Sequence, residues 1–407
     1  MATINDNFMR IQNNYLFVEV ARRVEEFTQK NPNISLYRLG IGDTTEALPT
    51  HVIESIQQEV KNLAQKETYT GYGHEQGNYT LRNALCTWYA RRGVYLDQSE
   101  IFISDGAKSD SANMQSIFGQ ENIVAIQNPS YPVYVDSNIL AGRGGRFKNG
   151  RYEYFVYMPC TEEHGFVPGL PETKVDLIYL CSPNNPTGAV MTKLQLQEFV
   201  DYARRHKAVI IFDAAYSCFI TDKDLPRSIY EIDGAKECCI EISSFSKMAG
   251  FTGVRLGWSI IPQSLVVENT SPGEVHALWL RRQTTMFNGA SNLAQAGGVA
   301  ALSKTGEKQL KKIIDYYTDN ARMIKETLND MRYQVYGGDN APYLWWKIPP
   351  HVSSWEFFDI LLQNAHVVCT PGVGFGSCGE GYVRLSAFGD KKNILNALHS
   401  IKEHMKV

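Results

Sequence analysis

The chain has 407 residues with 40 basic against 43 acidic side chains, a formal net charge of -3 and a pI near 6.3, a balance that leaves no basic footprint for nucleic acid. Its 43% apolar and 11% aromatic content suffices for large cores and excludes disorder as the dominant state; at about 150 residues per domain, two or three compact units are expected. Met1 to Gln12 lacks the apolar run of a secretory signal and no stretch approaches the ~20 apolar residues that span a bilayer, so a cytoplasmic protein is expected.

In chain order, Phe17, Val20, Ala21, Val24 and Phe27 repeat at three and four residues, which predicts an amphipathic N-terminal helix stopped near Lys30 by Asn-Pro-Asn. Short β-rich runs follow at Ile101 to Ser104, Ile123 to Gln127, Leu177 to Cys181, Ala208 to Phe212, Cys239 to Ser243 and Leu256 to Ile260. Runs such as AVIIF are apolar at consecutive positions, so both of their faces are covered. Helical patterns lie between them; at Thr192 to Arg205 the Thr192 and Gln195 pair has the spacing of a capping box. This alternation predicts an α/β architecture with a mostly parallel sheet and helices on both faces. Near Phe287 the texture changes to a long charged helix from about Glu307 to Met331, strand-like YLWWKI, a helix near Trp355 to Gln363 and strand-like GYVRLSAF, which predicts a smaller α+β unit. The expected organisation is an arm over 1–46, a large unit over 47–290 and a small unit over 291–407.

The eight cysteines have neither a disulfide-framework density nor C-x-x-C spacing, and most are expected as small buried hydrophobes. The nine histidines form no H-E-x-x-H, and no metal is expected. Gly372-Val-Gly-Phe-Gly376 lacks the G-x-G-x-x-G spacing of a dinucleotide site.

The richest chemistry lies in Ser243-Ser-Phe-Ser-Lys-Met-Ala-Gly-Phe-Thr-Gly-Val-Arg-Leu-Gly257. Directly after a buried strand, Lys247 offers an amine nucleophile, while Ser244, Ser246 and Arg255 suit the holding of a phosphate. Taken alone, S-x-S-K is as often a solvated lysine beside a turn; the G-x-R-x-G continuation makes that reading hard to sustain. Upstream, Asp213 ends an apolar strand, where open α/β sheets bind ligands, although an isolated Asp there also serves as a cap. Ser182-Pro-Asn-Asn-Pro-Thr-Gly188 follows another strand and alone reads as a turn. Asp105-Gly-Ala-Lys-Ser109 opens a helix, so the N–H groups of Ala107 and Lys108 can receive an anion; an ordinary helix start is the local alternative.

The order Asn185, Asp213, Lys247, Arg255 resembles that of the pyridoxal-phosphate enzymes of the aspartate aminotransferase fold, the fold type I, class I/II aminotransferases, over nearly the whole chain. The resemblance implies a mostly parallel sheet of the seven-stranded type flanked by helices, with a smaller α+β domain. It implies that Lys247 holds the cofactor aldehyde and that Asp213 pairs with the pyridine nitrogen, keeping the ring able to accept electrons from the substrate Cα. By the same resemblance Asn185 and Tyr216 reach the ring oxygen, and Tyr131 in Asn128-Pro-Ser-Tyr-Pro stacks on the ring. Ser244, Ser246, Arg255 and the Ala107 and Lys108 amides hold the phosphate. Tyr72 in Tyr69-Thr-Gly-Tyr-Gly reaches the phosphate of a neighbouring subunit, which implies a homodimer with shared sites. Arg384 in Tyr382-Val-Arg-Leu-Ser386 clamps the substrate α-carboxylate, to which its planar fork is suited.

Tyr15-Leu-Phe, Leu39-Gly-Ile-Gly-Asp-Thr-Thr-Glu46, Gly73-His-Glu-Gln-Gly77, Asn340-Ala-Pro-Tyr-Leu-Trp345 and Thr370-Pro-Gly-Val-Gly-Phe-Gly376 together are very similar to the diaminopimelate-using branch of that family. The branch implies amino transfer between glutamate and tetrahydrodipicolinate in lysine and cell-wall precursor synthesis. It assigns substrate contacts to Tyr15, Gly42, Lys108, Tyr131, Asn185, Asn288 and Arg384, with Asn288 also near the cofactor. Glu75, three residues after Tyr72, is expected to arrive from the neighbouring subunit and read the distal ammonium. The cofactor motifs alone leave open another amino acid's transamination, aspartate or aromatic, or β-elimination, because stabilising charge at Cα serves all of these. A DNA-binding regulator on the same scaffold would need a basic face and a helix-turn-helix extension, which this sequence lacks.

Overall fold

A computed structural model describes residues 1–11, 16–40, 42–148 and 150–405 of the chain. Seven strands form the central sheet: β1 (Ile101–Ser104), β2 (Val124–Asn128), β3 (Phe155–Pro159), β4 (Leu177–Cys181), β5 (Val209–Asp213), β6 (Cys239–Ser244) and β7 (Gly257–Ile260). Their spatial order is β1-β7-β6-β5-β4-β2-β3. The block β6-β5-β4-β2-β3 is parallel throughout, whereas β7 runs antiparallel to both β1 and β6. The sheet is therefore mostly parallel, as the doubly apolar runs predict. The exception has a local cause: the stretch between Ser244 and Gly257 is taken up by the lysine turn and a glycine loop. That leaves no room for the crossover helix a parallel neighbour requires. Strand β3 escapes the sequence reading because it lies at the sheet edge, where its middle residues are only half-buried and the continuous apolar signal is lost.

Helix α1 (Leu16–Lys30) begins the described part of the arm, followed by α2 (Thr50–Leu63), α3 (Tyr79–Ala90), α4 (Ala107–Asn113) and α5 (Val133–Leu140). Helix α6 (Lys193–His206) starts with a formed capping box, in which Gln195 N donates to Thr192 Oγ1 at 3.3 Å and Thr192 N donates to Gln195 Oε1 at 2.9 Å. Helices α7 (Glu274–Met286), α8 (Asn292–Leu302) and α9 (Lys304–Asp330) follow. Ser303 caps α9 by accepting from Gly306 N at 3.1 Å, so the helix begins three residues before the charged pattern suggests. Although the texture changes near Phe287, α8 shares a core with α2 and α3 through Ala294, Ala300, Val52 and Leu81.

A second sheet of four antiparallel strands, β8 (Val335–Gly337), β9 (Tyr343–Lys347), β10 (Thr370–Pro371) and β11 (Tyr382–Ser386), has the order β8-β9-β11-β10. Val24 of α1 packs into this sheet's core with Leu344, Trp346 and Val383. Tyr37 and Arg38 pair in parallel with Val367 and Val368, which fastens the arm to the C-terminal sheet. The carboxyl ends of β2, β4, β5 and β6 lie along one edge of the central sheet, and β11 faces that edge: Arg384 Nη1 donates to Asn185 Oδ1 at 2.7 Å.

Candidate active site

Strand β6 delivers the lysine. Ser244 ends the strand and caps the turn Phe245–Met248 by accepting from Ser246 N at 3.0 Å, while Phe245 is fully buried and anchors the turn. Lys247 is thereby aimed into a cleft of about 360 Å³. Burial pushes its amine down to about 8, with Arg384 and Arg255 adding repulsion and Asp43 opposing. Its Nζ donates to the Gly42 carbonyl oxygen and lies 5.2 Å from the Phe388 ring centroid.

One end of the cleft is built for an anion. Ser244 Oγ donates to Ser246 Oγ at 2.9 Å, and Arg255 Nη1 donates to Ser246 Oγ at 3.2 Å. Ala107 and Lys108 line the same cleft at the first turn of α4. Between these groups Gly106 has φ 143°, and a Cβ there would meet Arg255 Nη2 at 2.5 Å, so only glycine lets the guanidinium approach the turn.

The floor carries the carboxylate. Asp213, 8% exposed at the end of β5, accepts from Tyr134 OH at 2.7 Å and from Ala215 N at 3.0 Å. Burial raises its pKa, and the two hydrogen bonds oppose the rise. Among the described residues no cation pairs with Asp213. The Tyr134 ring stacks on Tyr179 at 5.1 Å and meets Tyr131 edge-on at 5.8 Å, so the donor to Asp213 is rigidly held.

At the other side, Arg384 is 1% exposed, with Nη1 on Asn185 Oδ1 and Nη2 donating to Gly40 O at 2.8 Å. Its guanidinium lies 4.4 Å from the Tyr343 ring and 4.9 Å from Phe375, and its Nε has no partner among the described residues. Flanking Val383 and Leu385 point into the core, so period-2 alternation turns Arg384 towards the cleft. Tyr216 OH and Tyr343 OH are hydrogen-bonded at 2.9 Å, and burial raises both phenols.

Of the residues singled out in the sequence, Gly42, Ala107, Lys108, Tyr131, Asn185, Asp213, Tyr216, Ser244, Ser246, Lys247, Arg255 and Arg384 line this one cleft. Tyr15 lies outside the described residues. Tyr72, Glu75 and Asn288 do not line the cleft of a single chain; Tyr72 is 90% exposed and Asn288 is exposed. Their loops meet each other instead: Asn292 Nδ2 donates to Gly71 O at 3.0 Å, and a Cβ on Gly289 would lie 3.6 Å from Glu75 Cα.

Five further residues that line the cleft were missed as site residues in the sequence: Phe17, Tyr134, Ala215, Thr252 and Tyr343. The signal for Tyr134 was its position three residues after Tyr131, where a turn leads into α5 and Tyr134 N donates to Tyr131 O at 3.2 Å. Tyr343 sits on the strand paired with that of Arg384, which only the sheet register reveals.

Comparison with known proteins agrees with this geometry. The family profile of aminotransferase class I and II matches residues 35–401. Curated LL-diaminopimelate aminotransferases from Phocaeicola vulgatus and Methanosphaera stadtmanae are each 48% identical, over 407 residues (99% of both chains) and 404 residues (98% of both chains) respectively. The solved L,L-diaminopimelate aminotransferase from Chlamydomonas reinhardtii superposes with a TM-score of 0.94 at 46% identity, covering 99% of this chain and 98% of that one. A Thermus thermophilus aspartate aminotransferase double mutant, 21% identical with a TM-score of 0.84 over 99% of this chain and 100% of its own, shares the fold. With its motifs, sheet and cleft in agreement, the chain belongs to the class I and II aminotransferases, of fold type I.

Proposed function

We propose that the protein acts as an LL-diaminopimelate aminotransferase, a cytoplasmic homodimer that uses pyridoxal phosphate to interconvert LL-diaminopimelate plus 2-oxoglutarate with tetrahydrodipicolinate plus L-glutamate, in lysine and peptidoglycan precursor synthesis. The observation that carries the reaction type is the convergence of Lys247, Asp213 and Arg384, from three distant segments, on one cleft. The substrate assignment draws on the full-length likeness to enzymes of that name.

The charge pattern of the cleft suits this cofactor. The anion end, with Gly106 leaving room that a Cβ would fill, suits a phosphate; the buried Asp213, without a cationic partner among the described residues, suits a protonated ring nitrogen. When bound, pyridoxal phosphate supplies an aldehyde that condenses with amines and a ring that takes up the electron pair left as Cα loses its proton. Ser244, Ser246, Arg255 and the Ala107 and Lys108 amides would hold the phosphate, with Tyr72 of a second copy completing that end, and Tyr131 would cover the ring face.

Because Asn185 Oδ1 is engaged by Arg384, its Nδ2 is left to donate to the ring oxygen alongside Tyr216. Burial that lowers Lys247 to about 8 makes its neutral amine far more populated near neutral pH than that of a free lysine, so it would supply the nucleophile for the cofactor aldehyde and the base that moves the proton at Cα. Arg384, fixed by Asn185 and Gly40, binds the α-carboxylate and sets which Cα bond faces Lys247. Gly42 and Lys108 border the rest of the substrate, Tyr15 is assigned there by the likeness to the diaminopimelate enzymes, and Asn288 and Glu75 would come from the second copy, Glu75 to pair with the distal ammonium.

The test is half-transamination of the purified enzyme, offering LL-diaminopimelate, glutamate and aspartate separately and following loss of the bound cofactor's absorption. Conversion by the first two with aspartate much slower supports the assignment; aspartate as the best donor would reassign the substrate, and no conversion by any donor would remove the reaction.

A further inference from the structure

Beneath the anion end lies a buried acid that no step above uses. Asp110, one turn into α4, is 1% exposed. Its Oδ2 accepts from Ser104 Oγ at 2.6 Å; Ser104 Oγ in turn accepts from Gly106 N at 3.3 Å, and Asp110 N donates to Gly106 O at 3.2 Å. Ser104 is itself 2% exposed at the end of β1, in register with Gly257 of β7. Side chain and backbone thus close a loop on Gly106, the residue that precedes the two cleft amides and receives the Arg255 guanidinium against its open face.

The arrangement is not the cheapest way to start a helix. Burial pushes the Asp110 carboxyl up to about 8, with Asp105 adding to the rise and Arg282 of α7 opposing it, and Asp110 Oδ1 has no partner among the described residues. An exposed N-cap serine or aspartate would satisfy helix-start amides without that desolvation. At neutral pH the carboxyl is largely uncharged, so it does not repel an anion at the same end of the helix.

Resting on the cofactor reading above, we propose that Asp110, acting through Ser104, is a positioning residue that fixes the Gly106 turn so that the Ala107 and Lys108 amides meet the phosphate. Asp110 does not touch the cofactor; it decides where two of its donors point. The expected signature is a loss specific to the phosphate, since the aldehyde, ring-nitrogen, ring-face and α-carboxylate contacts come from residues outside the Gly106 turn.

Equilibrium dialysis of the full-length enzyme against pyridoxal phosphate and against pyridoxal, which lacks the phosphate, tests this. The wild type binds the phosphorylated form more tightly. Asp110→Ala and Ser104→Ala should each reduce that preference about tenfold, the scale of one lost or misdirected hydrogen bond, while leaving pyridoxal within about twofold. Asp110→Asn should keep most of the preference, and the double variant should be no worse than either single one, because both act through one chain of bonds. If Asp110→Ala fails to fold, Ser104→Ala decides. An unchanged preference in the folded variants, or equal losses for both ligands, overturns the inference while leaving the cofactor assignment intact. A wild type that does not prefer the phosphorylated form overturns both.

Discussion

Replacing Lys247 with methionine should stabilise the cofactor-free protein at neutral pH, with a pH dependence that betrays the cause. Burial lowers the amine from its usual 10.5 to about 8, a shift worth roughly 3 kcal/mol at ~1.4 kcal/mol per unit. By surface area Lys247 is only half-buried, and solvent entering the cleft reduces the figure to about 2 kcal/mol. Below pH 8 the amine is charged in both folded and unfolded states, so the folded state bears the full cost. Between pH 8 and 10.5 the unfolded chain holds one more proton than the folded chain, and wild-type stability rises with pH.

Methionine keeps most of the side-chain volume and removes the charge. At about 2 cal/mol/K per residue, the expected gain in Tm at pH 7 is about 2 °C, and by pH 9.5 more than half of it should have vanished as the wild type catches up. Scanning calorimetry of cofactor-free wild type and variant at several pH values measures this, since bound cofactor would itself shift Tm. A Lys247→Met protein no more stable than the wild type at pH 7, or a difference independent of pH, would refute the idea that the lysine is held at a desolvation cost.

Asp213→Asn removes the carboxylate while keeping its shape; cofactor should remain bound and kcat should fall at least about a hundredfold, so activity within a few-fold of wild type would misplace the ring nitrogen's partner. Arg384→Lys strips Asn185 and Gly40 of a fork that a lysine cannot reproduce, and kcat/KM should drop at least about thirtyfold for every amino donor in steady-state assays. A loss confined to one donor would remove the α-carboxylate role. Glu75→Gln should depress kcat/KM for LL-diaminopimelate at least about tenfold and glutamate much less, because only the former has a distal ammonium. Equal losses would make Glu75 a support for its loop or for the dimer.

The chemistry of this chain is written in short segments. Lys247 and Asn185 follow apolar strands by a few residues, Asp213 ends one and Arg255 just precedes another, and doubly apolar strands announce a covered, mostly parallel sheet whose carboxyl edge gathers such residues. That the groups serve one site came from the resemblance of their order to a known family, whereas local motifs and periodicity were enough for the strands and the groups at their ends, because each such signal is local. The edge strand Phe155–Pro159 was lost for the same reason: with one side exposed, its local signal weakens.

What tertiary structure alone decided is long-range. The carbonyls of Gly40 and Gly42, over 200 residues away in sequence, hold Arg384 and Lys247. Tyr134 was legible as an aromatic on a short helix but not as the donor to Asp213, a contact that depends on how β2 and β5 are spaced by β4. Tyr343 became a neighbour of Tyr216 only through the packing of the second sheet against the carboxyl edge of the first. Tyr72, Glu75 and Asn288 lie outside the cleft of one chain, which no local motif could tell. A sequence motif specifies the chemical group and its local turn; which groups meet is set by sheet order, register and chain closure, where each contact depends on packing summed over the whole fold.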